Sequence, residues 1–215
     1  MFRRKKADDA DAAPDAPDGS LAPDDADSTG VPAARGPWDA SEVEIDEGDE
    51  SRVDLGSLLI RPVEGLDVQL QVDEASEQVI AVILAGETGA VELRAFAAPR
   101  NGDIWADMRR QLAGEIARMG GTATEVEGEW GTEVRVSLAV TADNGQRAQQ
   151  TSKVVGIPGP RWLLRATFFG RPAVEHDENG DVETALREVV VVRGTGPVPP
   201  GDMLPLTMPP NAQRA

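Results

Sequence analysis

The chain has 215 residues, carries a formal net charge of −17 and contains no cysteine. The missing cysteine excludes disulfides, thiolate metal sites and a cysteine nucleophile. The negative charge argues against general nucleic-acid binding, which works by neutralising phosphates.

Charge is not spread evenly. Residues 1 to 54 hold 16 acidic and 6 basic side chains, more than half of the net charge. The opening Met-Phe-Arg-Arg-Lys-Lys resembles the basic start of a signal peptide, but Ala, Asp and Pro follow where an apolar run is needed. No stretch of about 18 apolar residues occurs, so no membrane-spanning helix is expected, and the expected location is cytoplasmic. Residues 7 to 36 are nearly all Asp, Ala, Pro, Gly and Ser. Such a composition cannot bury enough surface to offset the entropy of ordering, so residues 1–52 are expected to be a disordered acidic arm and linker. Trp38 interrupts this polar segment and is expected to dock on the domain or on a partner.

Apolar content rises from Val53, and the folded part is expected over residues 53–194. The run Val53, Leu55, Leu58, Leu59, Ile60 ends at Arg61-Pro62. Leu66 to Val72 alternates, Val79 to Leu84 is apolar throughout, and Val91 to Ala95 alternates again, with a turn at Gly86 to Gly89 between the second and third. This predicts a three-stranded antiparallel meander. Trp105, Met108, Leu112, Ile116 and Met119 then recur at helical spacing, with Asn101 or Asp103 as a cap and Gly120-Gly121 as a stop. Strands are predicted at Thr122 to Glu127, Glu133 to Val140, Arg147 to Gly156 and Arg161 to Phe169, with Asp143-Asn144-Gly145 as a hairpin turn. Residues 181 to 193 read as a second helix, although Val189 to Val192 is β-prone and leaves a strand ending open. The Pro-rich tail over residues 195–215 suits an extended strap, with Met203, Leu204, Leu206 and Met208 available for contact. The fold class expected is therefore α+β: one antiparallel sheet packed by two helices.

Candidate chemistry is sparse. His176 is the only histidine and lies among acidic residues in a polar loop, without a nucleophile or orienting group at readable spacing. No phosphate-loop, dinucleotide, zinc-protease or nucleophile-elbow string is present. Asp177, Asn179, Asp181 and Glu188 fall at positions 1, 3, 5 and 12 of a calcium loop, but the turn glycine is two positions early at Gly180, and a helix-capping loop is expected instead. Glu125, Glu127 and Glu129 read as a solvated strand face. Arg161 and Arg165 share one side of a predicted strand, with Trp162 on the other, and could hold an anion. No catalytic residue, metal or cofactor is assigned. The expected function is a non-catalytic interaction or adaptor module with a protein partner. A binder of a small anionic ligand through Arg161 and Arg165 is the alternative, and a hydrolase using carboxylates comes third.

Several strings in this order resemble a known family: RVDLGSLLI at Arg52 to Ile60, AFAAPRNGDIW at Ala95 to Trp105, GPRWLLR at Gly159 to Arg165, LREVVVVRG at Leu186 to Gly194, and LPL at Leu204 to Leu206. They resemble the actinobacterial family catalogued as domain of unknown function 3710, which brings no activity or catalytic residues with it. The element order is also similar to the Mog1/PsbP-like fold, and that likeness implies a sheet flanked by helices but no function.

Overall fold

The computed structural model describes residues 36–45, 51–141, 145 and 147–209. The acidic arm expected over residues 1–52 falls largely outside these residues, as do Asp143 and Asn144 of the predicted hairpin turn and the last six residues of the tail.

Two sheets form where the sequence suggested one. The large sheet is built from β4 (Asp67–Val72), β5 (Val79–Ala85), β6 (Gly89–Ala97), β7 (Thr122–Gly128), β8 (Gly131–Thr141), β9 (Arg147–Gly159) and β10 (Trp162–Gly170). Its spatial order is β4-β5-β6-β10-β9-β8-β7, antiparallel throughout. The alternating segments thus form the expected meander, and Gly86 N–H closes its turn on Gly89 O at 2.9 Å. The small sheet has the order β1-β11-β3-β2, from β1 (Trp38–Asp39), β2 (Val53–Asp54), β3 (Leu58–Ile60) and β11 (Val190–Val191).

Both faces of the large sheet are covered in part, and each cover builds a core. On one face, Leu84, Leu93, Val155, Leu164 and Phe168 meet Leu55, Leu58 and Ile60 of the small sheet and its flank, together with Leu186 and Val189. On the other, α1 (Ile104–Arg118) lays Trp105 and Ile116 on Val134, Val136, Val154 and Leu163. Asp103 caps α1 by accepting from Ala106 N–H at 3.1 Å, and Gly120, at φ +78°, takes the left-handed turn that stops it. Met108 and Leu112 join the apolar stripe, but Met119 is 58% exposed, because it is the C-cap and no longer follows helical periodicity.

The predicted second helix divides. A short α2 (Arg171–Val174), with Pro172 in its first turn, precedes α3 (Asp181–Arg187), which stops before the β-branched run, and Val190–Val191 enter the small sheet. Strand, the alternative left open for Val189 to Val192, is what Val190 and Val191 adopt.

Residues expected to be linker also join the body. Trp38 and Asp39 pair in parallel with Val190 and Val191, and Asp39 Oδ2 accepts from Trp162 Nε1 at 2.6 Å. Trp162 is 2% exposed, so this bond satisfies a donor that could not reach water. A two-residue strand leaves no periodic trace in the sequence, so the apolar pattern places the start of the folded region at Val53 although Trp38 and Asp39 already belong to it. The Pro-rich tail crosses the large sheet as a strap. Leu204 N–H donates to Ala95 O at 2.9 Å, Thr207 N–H donates to Leu55 O at 2.9 Å, and Leu204 is 1% exposed. Met208, by contrast, is 40% exposed.

Candidate functional site

Arg161 and Arg165 do not form the pair that alternation predicted. Arg161 lies in the β9–β10 turn with φ +63°, before the strand begins at Trp162, so it has no place in the strand's alternation. Arg165 is paired with Arg94 on β6 instead. Glu92 sits between them, 2.8 Å from Arg94 and 3.7 Å from Arg165, and Gln71 accepts from Arg94 at 3.2 Å. Arg165 lies over the Phe96 ring at 5.5 Å, and its buried Nε has no hydrogen-bond partner. Burial first, then Arg94, pushes the Arg165 guanidinium below its ordinary value, with Glu92 opposing. Trp38 sits in β1 and lines an open groove of about 330 Å³ with Glu178, Thr184, Arg187 and Glu188.

A second charged group is hidden on the opposite face of the sheet. Lys153 is the only lysine after Lys6, yet it is 3% exposed, on β9 between Ser152 and Val154. Its Nζ stands 4.2 Å from the Phe168 ring centre. Burial lowers its pKa, while Glu133 and Glu183 oppose that shift. Glu133 is engaged by Arg135 at 2.5 Å, and Arg135 also donates to Ala173 O at 2.5 Å. Arg187 donates to Glu129 at 2.6 Å, and His176 Nδ1 lies 3.5 Å from the same carboxylate. Glu129 is therefore engaged, and Glu125 pairs with Arg109 at 3.3 Å, where only a solvated face was expected. Sequence reasoning missed Lys153; its signal was a solitary lysine in a chain whose other body cations are arginines. Lys153 lines neither the groove beside Trp38 nor the small cavity beside α3. Its surroundings, with the carboxylates of Glu133 and Glu183 acting against the desolvation, are those of a compensated buried charge.

The most accessible pairing surface is backbone. Strand β7 covers β8 only as far as Ser137, and β10 covers β9 only as far as Ser152. The hairpin continues for four further pairs, Leu138 with Gln150 through Thr141 with Arg147. Among the described residues, this stretch is a two-stranded ribbon with no neighbouring strand on either side. Ala139, Thr141 and Arg147 to Gln150 are exposed, and one side-chain bond, Gln149 Nε2 to Ser137 Oγ at 2.6 Å, braces its base.

The outer strands of the large sheet are defended differently. β7 presents Glu125 and Glu127, and β4 carries Asp67 and a register shift between Gln71 and Val72. Charges and bulges of this kind discourage pairing with foreign strands. In the ribbon, Leu138-Ala139-Val140-Thr141 has no charge, proline or register shift. Among the described residues, this four-residue edge carries neither a charge nor a bulge.

The chain belongs to the family described as protein of unknown function (DUF3710), whose model matches residues 36–215. The DUF3710 match opens at Gly36, immediately before β1, so the strand that caps Trp162 lies inside the family region. No curated protein matches the chain. Among the described residues, no helix is long and apolar enough to cross a membrane.

Proposed function

We propose that this DUF3710 chain is a protein-interaction module that accepts an extended segment of a partner along the ribbon of β8 and β9. The observation that carries this reading is the unprotected edge at Leu138–Thr141, next to edges bearing carboxylates or a bulge. Strand addition draws affinity from main-chain hydrogen bonds, each worth about 0.5–1.5 kcal/mol net, and specificity from alternate side chains. Leu138 and Val140 face one side of the ribbon, Ala139 and Thr141 the other, which gives a partner strand two different surfaces to read. A photo-activated cross-linker at residue 139 of the full chain, in its source cells, is expected to trap a discrete protein adduct, whereas the same group at residue 125 on β7 traps none. Equal trapping at both positions, or none at 139, would count against the reading.

A second reading rests on Arg165. Its unpartnered Nε beside Arg94 suits a small anionic ligand, with Arg94 in the role first given to Arg161. Millimolar phosphate or citrate would then raise Tm in the parent chain and not in Arg165→Met; no rise in either would remove it.

A further inference from the structure

The tripeptide Asn-Gly-Asp occurs at Asn101–Asp103 and again at Asn179–Asp181, each time on the way into a helix, α1 in the first case and α3 in the second. The same sequence in two settings isolates what the fold adds to its chemistry.

Asparagine followed by glycine is open to attack by its own main chain, because a glycine without a Cβ lets its nitrogen approach the side-chain carbonyl carbon. The step needs that nitrogen to give up its proton and the asparagine amide to be free to swing toward it.

At Asn179 both requirements are opposed. Asn179 N–H donates to Asp177 Oδ1 at 3.0 Å and Gly180 N–H donates to Asp177 O at 2.9 Å, a turn of the kind that aspartate closes two residues ahead of itself. The space beside Gly180 is filled as well: a Cβ there would overlap Glu183 Oε2, and Glu183 is 1% exposed. At Asn101 these restraints are missing. Asn101 and Gly102 are both exposed, and the atom nearest to a Cβ at Gly102 would be Pro99 Cγ, at 3.6 Å. Among the described residues, neither the Asn101 amide nor the Gly102 N–H has a hydrogen-bond partner. Neighbouring charge acts in the same direction. Arg100 precedes Asn101 and favours an amide anion, whereas Glu178 precedes Asn179 and disfavours one.

We propose that Asn101 is a self-modification site, where the chain converts its own amide to aspartate and isoaspartate, and that the fold protects the same tripeptide at Asn179. The Gly102 nitrogen bonds to Asn101 Cγ, the Cγ–Nδ2 bond breaks, and ammonia leaves with the proton that the nitrogen gave up. The product is a cyclic imide, a succinimide. Water then opens it: cleavage of the bond to Cγ leaves aspartate, and cleavage of the bond to the main-chain carbonyl carbon leaves isoaspartate. Water is consumed and ammonia released, with no oxidant or reductant. Either product puts a carboxylate in front of α1, where the positive end of the helix favours it. Isoaspartate also lengthens the main chain between β6 and α1 by a methylene.

The test is peptide mapping by mass spectrometry of the full chain, held folded at mildly alkaline pH and sampled over days. Trypsin puts Asn101, Asn144 and Asn179 on separate peptides, because Arg109, Arg135, Arg147 and Arg165 lie between them. A hydrogen bond of ordinary strength that must break first slows a step about two- to tenfold, and two such bonds hold Asn179 and Gly180. Asn101 is therefore expected to convert at least about fivefold faster than Asn179. In denaturing urea only the neighbouring charges still differ, and solvent screens them, so the ratio should fall below about twofold. Asp177→Ala, which removes the side-chain acceptor of the turn, should speed conversion at Asn179 and leave Asn101 unchanged. Native rates within about twofold of each other, faster conversion at Asn179, or a ratio that urea leaves intact would overturn the assignment.

Discussion

The two halves of one hairpin meet opposite fates. Near its base, β8 and β9 lie between β7 and β10, and Val134, Val154 and Val155 are at most 4% exposed. Past Ser137 and Ser152, the same strands continue with the same register but, among the described residues, without neighbouring strands. Isolated two-stranded ribbons are marginal in water, so the distal half is held by its base and not by its own contacts. A strand can therefore extend beyond its sheet without being part of the core, and its outward N–H and C=O groups are left for another chain.

Graded substitutions sharpen this contrast. Phe168→Ala removes a fully buried ring beside the base of the hairpin and is expected to cost about 3–5 kcal/mol. Asp39→Ala strips Trp162 Nε1 of its acceptor and is expected to cost about 1–3 kcal/mol. Val140→Ala on the ribbon should change stability by less than about 0.5 kcal/mol. Urea titration read by tryptophan fluorescence measures all three, and a ribbon substitution as costly as the core one would break the comparison.

Acid adds a sign to the middle case. Burial alone would raise the Asp39 carboxyl, but bonds from Ser41 and Trp162 outweigh it and hold the group below its ordinary value. Its folded pKa is depressed, so its stabilisation is full above the unfolded value of about 3.9 and fades as pH falls through the folded one. Asp39→Asn should accordingly flatten the acid limb of the stability curve.

The fold was legible where periodicity was long. The meander, α1 and the β8–β9 hairpin each carry several repeats of a two- or three-to-four-residue pattern, and each formed near its expected bounds. What escaped had no period to read. Trp38–Asp39 is two residues long, and its strand exists only because Val190–Val191 supplies the partner. The division of the large and small sheets is a matter of long-range pairing, which no local pattern encodes. Arg161 drops out of the strand because it takes the left-handed turn conformation before Trp162, although the alternation of Trp162 and Leu164 against Arg165 follows the sequence pattern. The ribbon could not be recognised either, since its exposure depends on where β7 and β10 stop.

Hydrogen exchange on the free chain and on the complex trapped through residue 139 tests strand addition most directly. In the free chain, amides of Leu138–Thr141 should exchange much faster than those of Val134 and Val136. In the complex they should become protected, and Thr141→Lys, which puts a charge on the same edge and leaves residue 139 for the cross-linker, should prevent the complex from forming without changing Tm. Protection that appears on β4 or around Arg165 while the ribbon stays fast would contradict the account.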